Sequence, residues 1–363
     1  MRVRVLVADD SAVVRALLSE IIRSSPDFEL CGVASNGREA CERVKELRPG
    51  LVTMDVRMPE LDGFDATRQI MTECPTPIVI ITGHLDANEM ATSMRALEAG
   101  ALALLPKPPG PDDPKFDRSR TELLRTLKAM AGVRVVRRHA RRKPRQQETA
   151  APPVPEVPAV SPSGEARPYE LIAIGSSTGG PSALLTLIRS TMELELPSVA
   201  IVQHISDYYA EGLASWLSEE TGAHIEVLKG RTIAQAGRFY LGAPRHHIVA
   251  KRGEAGELCL DIEPGSPVDG ALPSASVLLE SAATACGNRA LGILLTGMGR
   301  DGADGCGAIH RAGGTVVVQD EMTSIVFGMP SAVIEEGHAD YIMPIQMIGA
   351  LLETLLKSRR RGP

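Results

Sequence analysis

Short apolar runs, rich in β-branched residues, alternate with longer stretches of helical period through the first third of the chain. The runs are VRVLVA, ELCGVA, GLVTMDV, PIVIITG and ALALLP, and between them AVVRALLSEIIRS and REACERVKELR space their apolar positions for one helix face. This rhythm predicts a parallel sheet covered on both faces. Polar residues gather where the runs finish: Asp9 and Asp10 after the first, Asp55 at the third, Thr82 at the fourth and Lys107 after the fifth. In an open α/β sheet such carboxyl ends line one crevice.

From about Gly132 the periodicity dissolves into RVVRRHARRKPRQQETAAPPVPEVPAVSPSGEARP. Proline-rich chain of this kind builds no core, so residues 131–167 are expected to be a flexible tether between a first domain, 1–130, and a second, 168–363. The basic run Arg137 to Arg145 reads most simply as a solvated charge run, with an acidic surface or nucleic acid as the alternative. Beyond it, LIAIGSSTGG (Leu171 to Gly180) is an apolar run ending in small and hydroxyl residues, and Pro181 then opens the helical pattern SALLTLI. Strand, tight turn and helix follow in that order. VAIVQHIS and ALGILLTGMGRDGADG repeat the logic, so the second domain is expected to be a doubly wound, Rossmann-like α/β unit.

The 363 residues suffice for two or three domains, each with its own core, and a net charge of −6 gives no general case for nucleic-acid binding. Six cysteines without C-x-x-C or Cys/His ligand spacing indicate neither a disulfide framework nor a zinc site, and suit a reducing compartment. No run approaches the length of a membrane span, and the opening MRVRVLVADD is already a strand pattern. A soluble, cytoplasmic protein without membrane insertion is expected.

Candidate chemistry sits at the strand ends. Asp9, Asp10 and Asp55 brought together repel one another unless a cation neutralises them, and hard, oxygen-seeking Mg²⁺ suits such a site. A carboxylate there can attack a phosphoryl donor while a hydroxyl and a lysine meet the phosphate charge. Singly, each has a plainer reading, because Asp-Asp after a strand is commonly a helix N-cap and Lys-Pro a turn. In the second domain Gly175 to Gly179 fits G-x-S-x-G, which makes Ser177 the first candidate nucleophile; a Gly-rich turn that binds phosphate, or nothing, is the alternative. Serine needs a base and an orienting acid, for which His204 and Asp301 stand just past two further strands. The backbone N–H of Met298, between Gly297 and Gly299, is the candidate oxyanion donor. A structural histidine, an N-capping aspartate and a tight glycine turn are the corresponding plain readings. The order Ser, His, Asp differs from the Ser, Asp, His of α/β-hydrolases, so the G-x-S-x-G match does not imply that fold. His246 and His247 lack a third ligand at metal spacing, Trp216 in LASWLSEE reads as packed, and IQMIGALLETLLKSRRRG is an amphipathic helix with basic residues at its C-terminal end.

At DD, MDVRMPELDG, ITG and PKP the first domain resembles a response-regulator receiver. The resemblance implies that Asp55 accepts phosphate from a histidine kinase, that Asp9, Asp10 and Asp55 hold Mg²⁺, and that Thr82 and Lys107 sense the phosphoryl group. Leu104 stands where many receivers carry a switch aromatic, and Arg57 adds a positive charge near the acceptor. AIGSSTGG, VQHI, LTGMGRDGADG and QDEMTSIVFGMP resemble, in order and spacing, the chemotaxis-type protein-glutamate methylesterases. That resemblance implies Ser177 as nucleophile, His204 as base and Asp301 as orienting acid, with no cofactor in the catalytic domain. The implied substrate is a glutamate γ-methyl ester on a chemoreceptor, with receptor glutamine as a further one. The unphosphorylated receiver is then expected to cover the crevice near Ser177. Departures are Ser176 in the usual place of alanine, Leu272 and Ser276 where RPSVDVL has arginine and aspartate, and a shorter loop at 243 to 247. A competing reading is a non-enzymatic output module that binds a nucleotide or a protein; a DNA-binding output lacks a reading helix.

Overall fold

The structure is a computed structural model, and it describes residues 2–83, 96–97, 99–133, 168–205 and 209–360. The expected tether from residue 134 to 167, basic run included, lies outside the described residues. The chain divides into two compact units, Met1–Ala150 and Ala151–Pro363.

In the first unit, strands β1 (Val3–Ala8), β2 (Phe28–Ala34), β3 (Leu51–Met54), β4 (Ile78–Thr82) and β5 (Ala103–Pro106) alternate with helices α1 (Ala12–Arg23), α2 (Gly37–Leu47) and α3 (Gly63–Glu73), and α4 (Phe116–Ala131) closes the unit. The sheet order is β2-β1-β3-β4-β5 with every pair parallel, the flavodoxin-like arrangement. All residues of β3 and β4 are buried, as strands covered on two faces must be. Caps fix where the helices begin: Ser11, Asn36 and Asp62 each accept a first-turn amide, those of Val14, Glu39 and Asp65.

The second unit is built on seven parallel strands in the order β15-β14-β13-β6-β7-β10-β8. These are β6 (Leu171–Ser176), β7 (Ser198–Gln203), β8 (Ile225–Val227), β10 (Phe239–Leu241), β13 (Ala290–Leu294), β14 (Thr315–Gln319) and β15 (Tyr341–Met343). Helices α5 (Gly180–Thr191), α6 (Ala210–Thr221), α7 (Ala275–Cys286), α8 (Ala303–Arg311), α9 (Met329–Glu335) and α10 (Ile345–Arg360) connect or cover them. The chain starts at the central β6, winds outward through β7, then returns to lay β13 on the other side. The topological switch point therefore falls between β6 and its two neighbours, where such sheets place their ligand crevice. Every residue of β6, β7 and β13 is buried.

A second, three-stranded antiparallel sheet was not part of the sequence-based expectation. It pairs β11 (His247–Arg252) with β12 (Leu258–Glu263), and β12 with the two-residue β9 (Thr232–Ile233). Strands this short carry little periodic signal. β11 packs on α7, and together they form one wall of the core with Leu278, Leu279, Ile248 and Leu260. Trp216 is 3% exposed, packed as its amphipathic context suggests.

Leu294, at the end of β13, is wholly buried in this core. Leu294→Ala is expected to lower the stability of the unit by about 2–5 kcal/mol, read from the midpoint of chemical denaturation.

Candidate active site and phosphoacceptor site

Three neighbouring strand ends supply the candidate residues of the second unit. Ser177 follows β6, His204 follows β7, and Met298 and Asp301 lie on the loop after β13. The sheet ladder continues just past the strands: His204 N–H donates to Ser176 O at 2.9 Å, Leu295 N–H to Gly175 O at 2.9 Å, and Ser177 N–H to Thr296 O at 3.0 Å. These bonds fix the three loops against one another at the level of Ser177.

His204 and Asp301, 97 residues apart, meet through Nε2 and Oδ2 at 2.7 Å. Asp301 is 3% exposed, and its two oxygens are further surrounded by donors. Ser274 Oγ donates to Oδ1 at 2.6 Å, Ser276 N–H to Oδ1 at 3.0 Å and Ala275 N–H to Oδ2 at 2.7 Å. Burial alone would raise this carboxyl, but the His204 contact, followed by Ser274 and the Ala275 amide, outweighs it and holds Asp301 below the usual carboxylate range. Aspartate here does cap a helix, but not the one it precedes in sequence: it sits on the first-turn amides of α7. With Nε2 engaged by Asp301, the ring nitrogen left to face a hydroxyl is Nδ1.

Gly297 lets the β13 loop approach the serine. A methyl group on Gly297 would lie 2.8 Å from Ser177 Cβ and 2.1 Å from Met329 Sδ, so only glycine fits. Its N–H donates to Val326 O and its carbonyl accepts from Gly328 and Met329. Thr296 clamps the same loops, its Oγ1 donating to Thr178 O at 2.9 Å and accepting from Val326 N–H at 2.9 Å, while its own N–H donates to Gln319 Oε1. Met298, the candidate oxyanion donor, is the next residue on this clamped loop.

Several of these supports were not anticipated from sequence. Ser274 carries a visible N-cap signal, and its hydroxyl does accept from Val277 N–H. Its second role, on Asp301, crosses 27 residues and has no local signature. His247 is buried, accepting from Ser274 N–H at Nδ1 and contacting Ser266 O at Nε2, which makes it a support of this network. Ser276, in the place of an expected aspartate, accepts from Gly302 N–H at 2.7 Å and so holds the start of α8.

In the first unit the sheet edge brings together five predicted residues. Asp9, Asp10 and Asp55 offer oxygens within 4.8 Å of one another, with Asp9 and Asp55 buried and Asp10 exposed. Lys107 Nζ lies 2.9 Å from both Asp9 Oδ2 and Asp55 Oδ2, and its backbone N–H donates to Thr82 O. Thr82 is 2% exposed at the end of β4. Asp9 also accepts Ser11 N–H through Oδ1, so it supports the helix start as well. Burial pushes the Asp55 carboxyl up to about 6 against the opposing pull of Lys107, with Asp9 adding like-charge repulsion. Asp9 Oδ2, also buried, has the Lys107 ammonium as its ion-pair partner. Three convergent carboxylates, two of them buried and sharing one ammonium, fit a hard divalent cation such as Mg²⁺. Leu104 is half-buried on β5 and Arg57 exposed beyond Asp55.

Because Asp301 is depressed when folded, the unfolded chain binds its proton more readily, and the stabilisation is present above the ordinary value of 3.8 and lost as pH falls towards the lower folded value. Asp301→Asn, which leaves donors facing an amide, is expected to cost about 3–5 kcal/mol at neutral pH. Denaturation curves measured from pH 7 downward should show that gap closing once the pH passes below the ordinary carboxylate range.

The CheB methylesterase family pattern matches residues 172–352 and that of the response regulator receiver domain residues 5–114. The chain is 41% identical over 360 residues, 98% of its length and 97% of the relative's, to protein-glutamate methylesterase/protein-glutamine glutaminase 4 of Myxococcus xanthus. It is 40% identical over 98% of its length to protein-glutamate methylesterase/protein-glutamine glutaminase 3 of Anaeromyxobacter dehalogenans, 99% of which is covered. Among solved structures, the CheB methylesterase catalytic domain of Thermotoga maritima aligns with a TM-score of 0.50 and 29% identity, over 52% of this chain and 98% of that one. These relatives favour the hydrolase over the nucleotide-binding output module. With a receiver at one end, a methylesterase domain at the other, and such likeness along nearly its whole length, the chain belongs to the protein-glutamate methylesterase/protein-glutamine glutaminase family.

Proposed function

We propose that this chain is a phosphorylation-activated serine hydrolase that removes methyl groups from glutamate γ-methyl esters on chemoreceptors, and that it deamidates receptor glutamines at the same site. The observation that carries this reading is the 2.7 Å contact between His204 and a buried, four-times-satisfied Asp301, at the strand end next to that of Ser177.

The proposed reaction has two halves. Ser177 Oγ attacks the ester carbonyl while His204 Nδ1 takes its proton, and Asp301 stabilises the resulting imidazolium. The carbonyl oxygen, now negative, accepts the Met298 N–H. Collapse breaks the carbon–oxygen bond to the methoxy group, which leaves as methanol with the proton from His204, and a glutamyl ester on Ser177 remains. Water then attacks that ester, again giving a proton to His204, Ser177 leaves with it, and the glutamate carboxyl so formed loses its remaining proton to solvent. For glutamine the first leaving group is ammonia.

Control comes from the first unit. Asp55 attacks the phosphorus of a histidine kinase's phosphohistidine, the phosphorus–nitrogen bond breaks and the kinase imidazole leaves, and Lys107 and Thr82 meet the added charge. Asp9, Asp10 and Asp55 would hold Mg²⁺, which when bound supplies the positive charge that lets carboxylate and phosphoryl oxygens approach. Phosphorylation shifts the population of the whole chain toward its active arrangement, with residues 131–167 as the tether between the domains. The reading is of a cytoplasmic protein, and among the described residues no helix is long and apolar enough to cross a membrane.

Ser177→Ala is expected to reduce methanol release from methylated receptor by about 10⁴-fold or more while leaving Asp55 phosphorylation intact. Turnover that persists in that variant removes Ser177 from the mechanism. Asp55→Asn should retain basal methanol release and lose its stimulation by phosphodonor; stimulation undiminished in that variant would place the acceptor elsewhere.

A further inference from the structure

Two hydroxyls stand side by side at the end of β6, and the one that is not the candidate nucleophile is wholly buried. Ser176 Oγ donates to Gln203 Oε1 at 2.7 Å. Gln203 is itself 4% exposed and ends β7, directly before His204. Its Nε2 spends both hydrogens, one on Ser177 O at 2.8 Å and one on His204 O at 2.9 Å. The direction of this amide follows from chemistry, because turned the other way it would press an oxygen acceptor against two carbonyl oxygens. The site is also shaped for it: a methyl group on Gly180 would lie 1.9 Å from Oε1, so the start of α5 closes directly over the amide.

Resting on the hydrolase reading above, we infer that Gln203 is a positioning residue of the reaction and that Ser176 sets its orientation, the pair forming a staple between the backbones of Ser177 and His204. Beyond the His204 N–H to Ser176 O bond no further backbone bond ties these two strand ends together among the described residues. Strand ends past their last ladder bond are free to splay. One nitrogen that grips the carbonyls of both residues restricts that freedom, and with it a source of error in the distance between hydroxyl and imidazole. Proton transfer is sensitive to such error. Ser176 is correspondingly no second nucleophile, since it is enclosed and its proton is already donated.

The test uses the full-length protein with Gln203→Glu, Gln203→Ala, Ser176→Ala and the double variant Ser176→Ala/Gln203→Ala. Gln203→Glu keeps the shape and the acceptor for Ser176 but removes both donors. The first readout is the rate at which a fluorophosphonate labels Ser177, which reports activation of the hydroxyl without receptor recognition; the others are labelling stoichiometry, kcat and KM for methanol release, and the melting temperature. Both Gln203 variants should reach full stoichiometry about 100-fold more slowly, with kcat falling in parallel and KM moving less than about threefold. Ser176→Ala should slow labelling about fivefold, and should add nothing further in the Gln203→Ala background.

Gln203 variants that melt lower but label at the wild-type rate overturn the positioning role, leaving a packing residue. Ser176→Ala with unchanged labelling overturns the part given to Ser176, and keeps the test open where a Gln203 variant fails to fold. Wild-type protein that resists labelling at Ser177, with methanol release surviving Ser177→Ala, would instead sink the hydrolase reading itself.

Discussion

A buried carboxylate has to be satisfied in full or it does not stay charged, and Asp301 governs the second unit through that constraint. Its oxygens take the Ser274 hydroxyl, the amides of Ala275 and Ser276, and the imidazole of His204. Each donor comes with an element attached. The two amides bring the start of α7, the hydroxyl brings its cap, and the imidazole brings the end of β7. The antiparallel sheet joins the same network, since His247 at the head of β11 accepts the Ser274 N–H. Removing the charge would therefore loosen a helix, a cap and a strand end together, so stability and chemistry are tied to one side chain.

The first unit uses buried charge in the opposite sense. Asp55 and Asp9, both buried, share a single ammonium, that of Lys107. Asp55 is pushed upward in pKa where Asp301 is held down. Crowded carboxylates with one ammonium between two of them have something to gain from a further cation. Donors on every side keep Asp301 charged, whereas burial and a like-charged neighbour make the charge on Asp55 harder to hold.

Legibility in the sequence followed the range of the interactions. Five strand ends of the first unit declared themselves because each polar residue interrupts an apolar run, and Asp9, Asp10, Asp55, Thr82 and Lys107 do converge at one edge. Ser177, His204 and Asp301 were picked out the same way, and they lie past β6, β7 and β13, with β6 between the other two strands. The supports were hidden because their signals are local and their functions are not. Gln203 looks like the polar close of a strand, Ser274 like an ordinary N-cap and Thr296 like part of a glycine turn. β9, with two residues, has too little length to show a period. Residues 134–167 have composition but no pattern.

The choice of ring nitrogen connects these features. Asp301 binds His204 at Nε2, the nitrogen farther from the main chain, so in the proposed reaction the base is Nδ1, the one nearer to it. A hydroxyl can reach Nδ1 only by coming close to the histidine's own backbone. Adjacent parallel strands bring the two backbones near, and the bond from His204 N–H to Ser176 O closes the gap at the last rung. The Gln203 amide then holds the next carbonyls on each side. Had the carboxylate taken Nδ1, the nucleophile would be needed a ring's width farther out, where neighbouring strand ends diverge. Strand adjacency and the direction of the Asp301 contact are thus compatible with each other, and the proposed order Ser, His, Asp does not call for the α/β-hydrolase sheet.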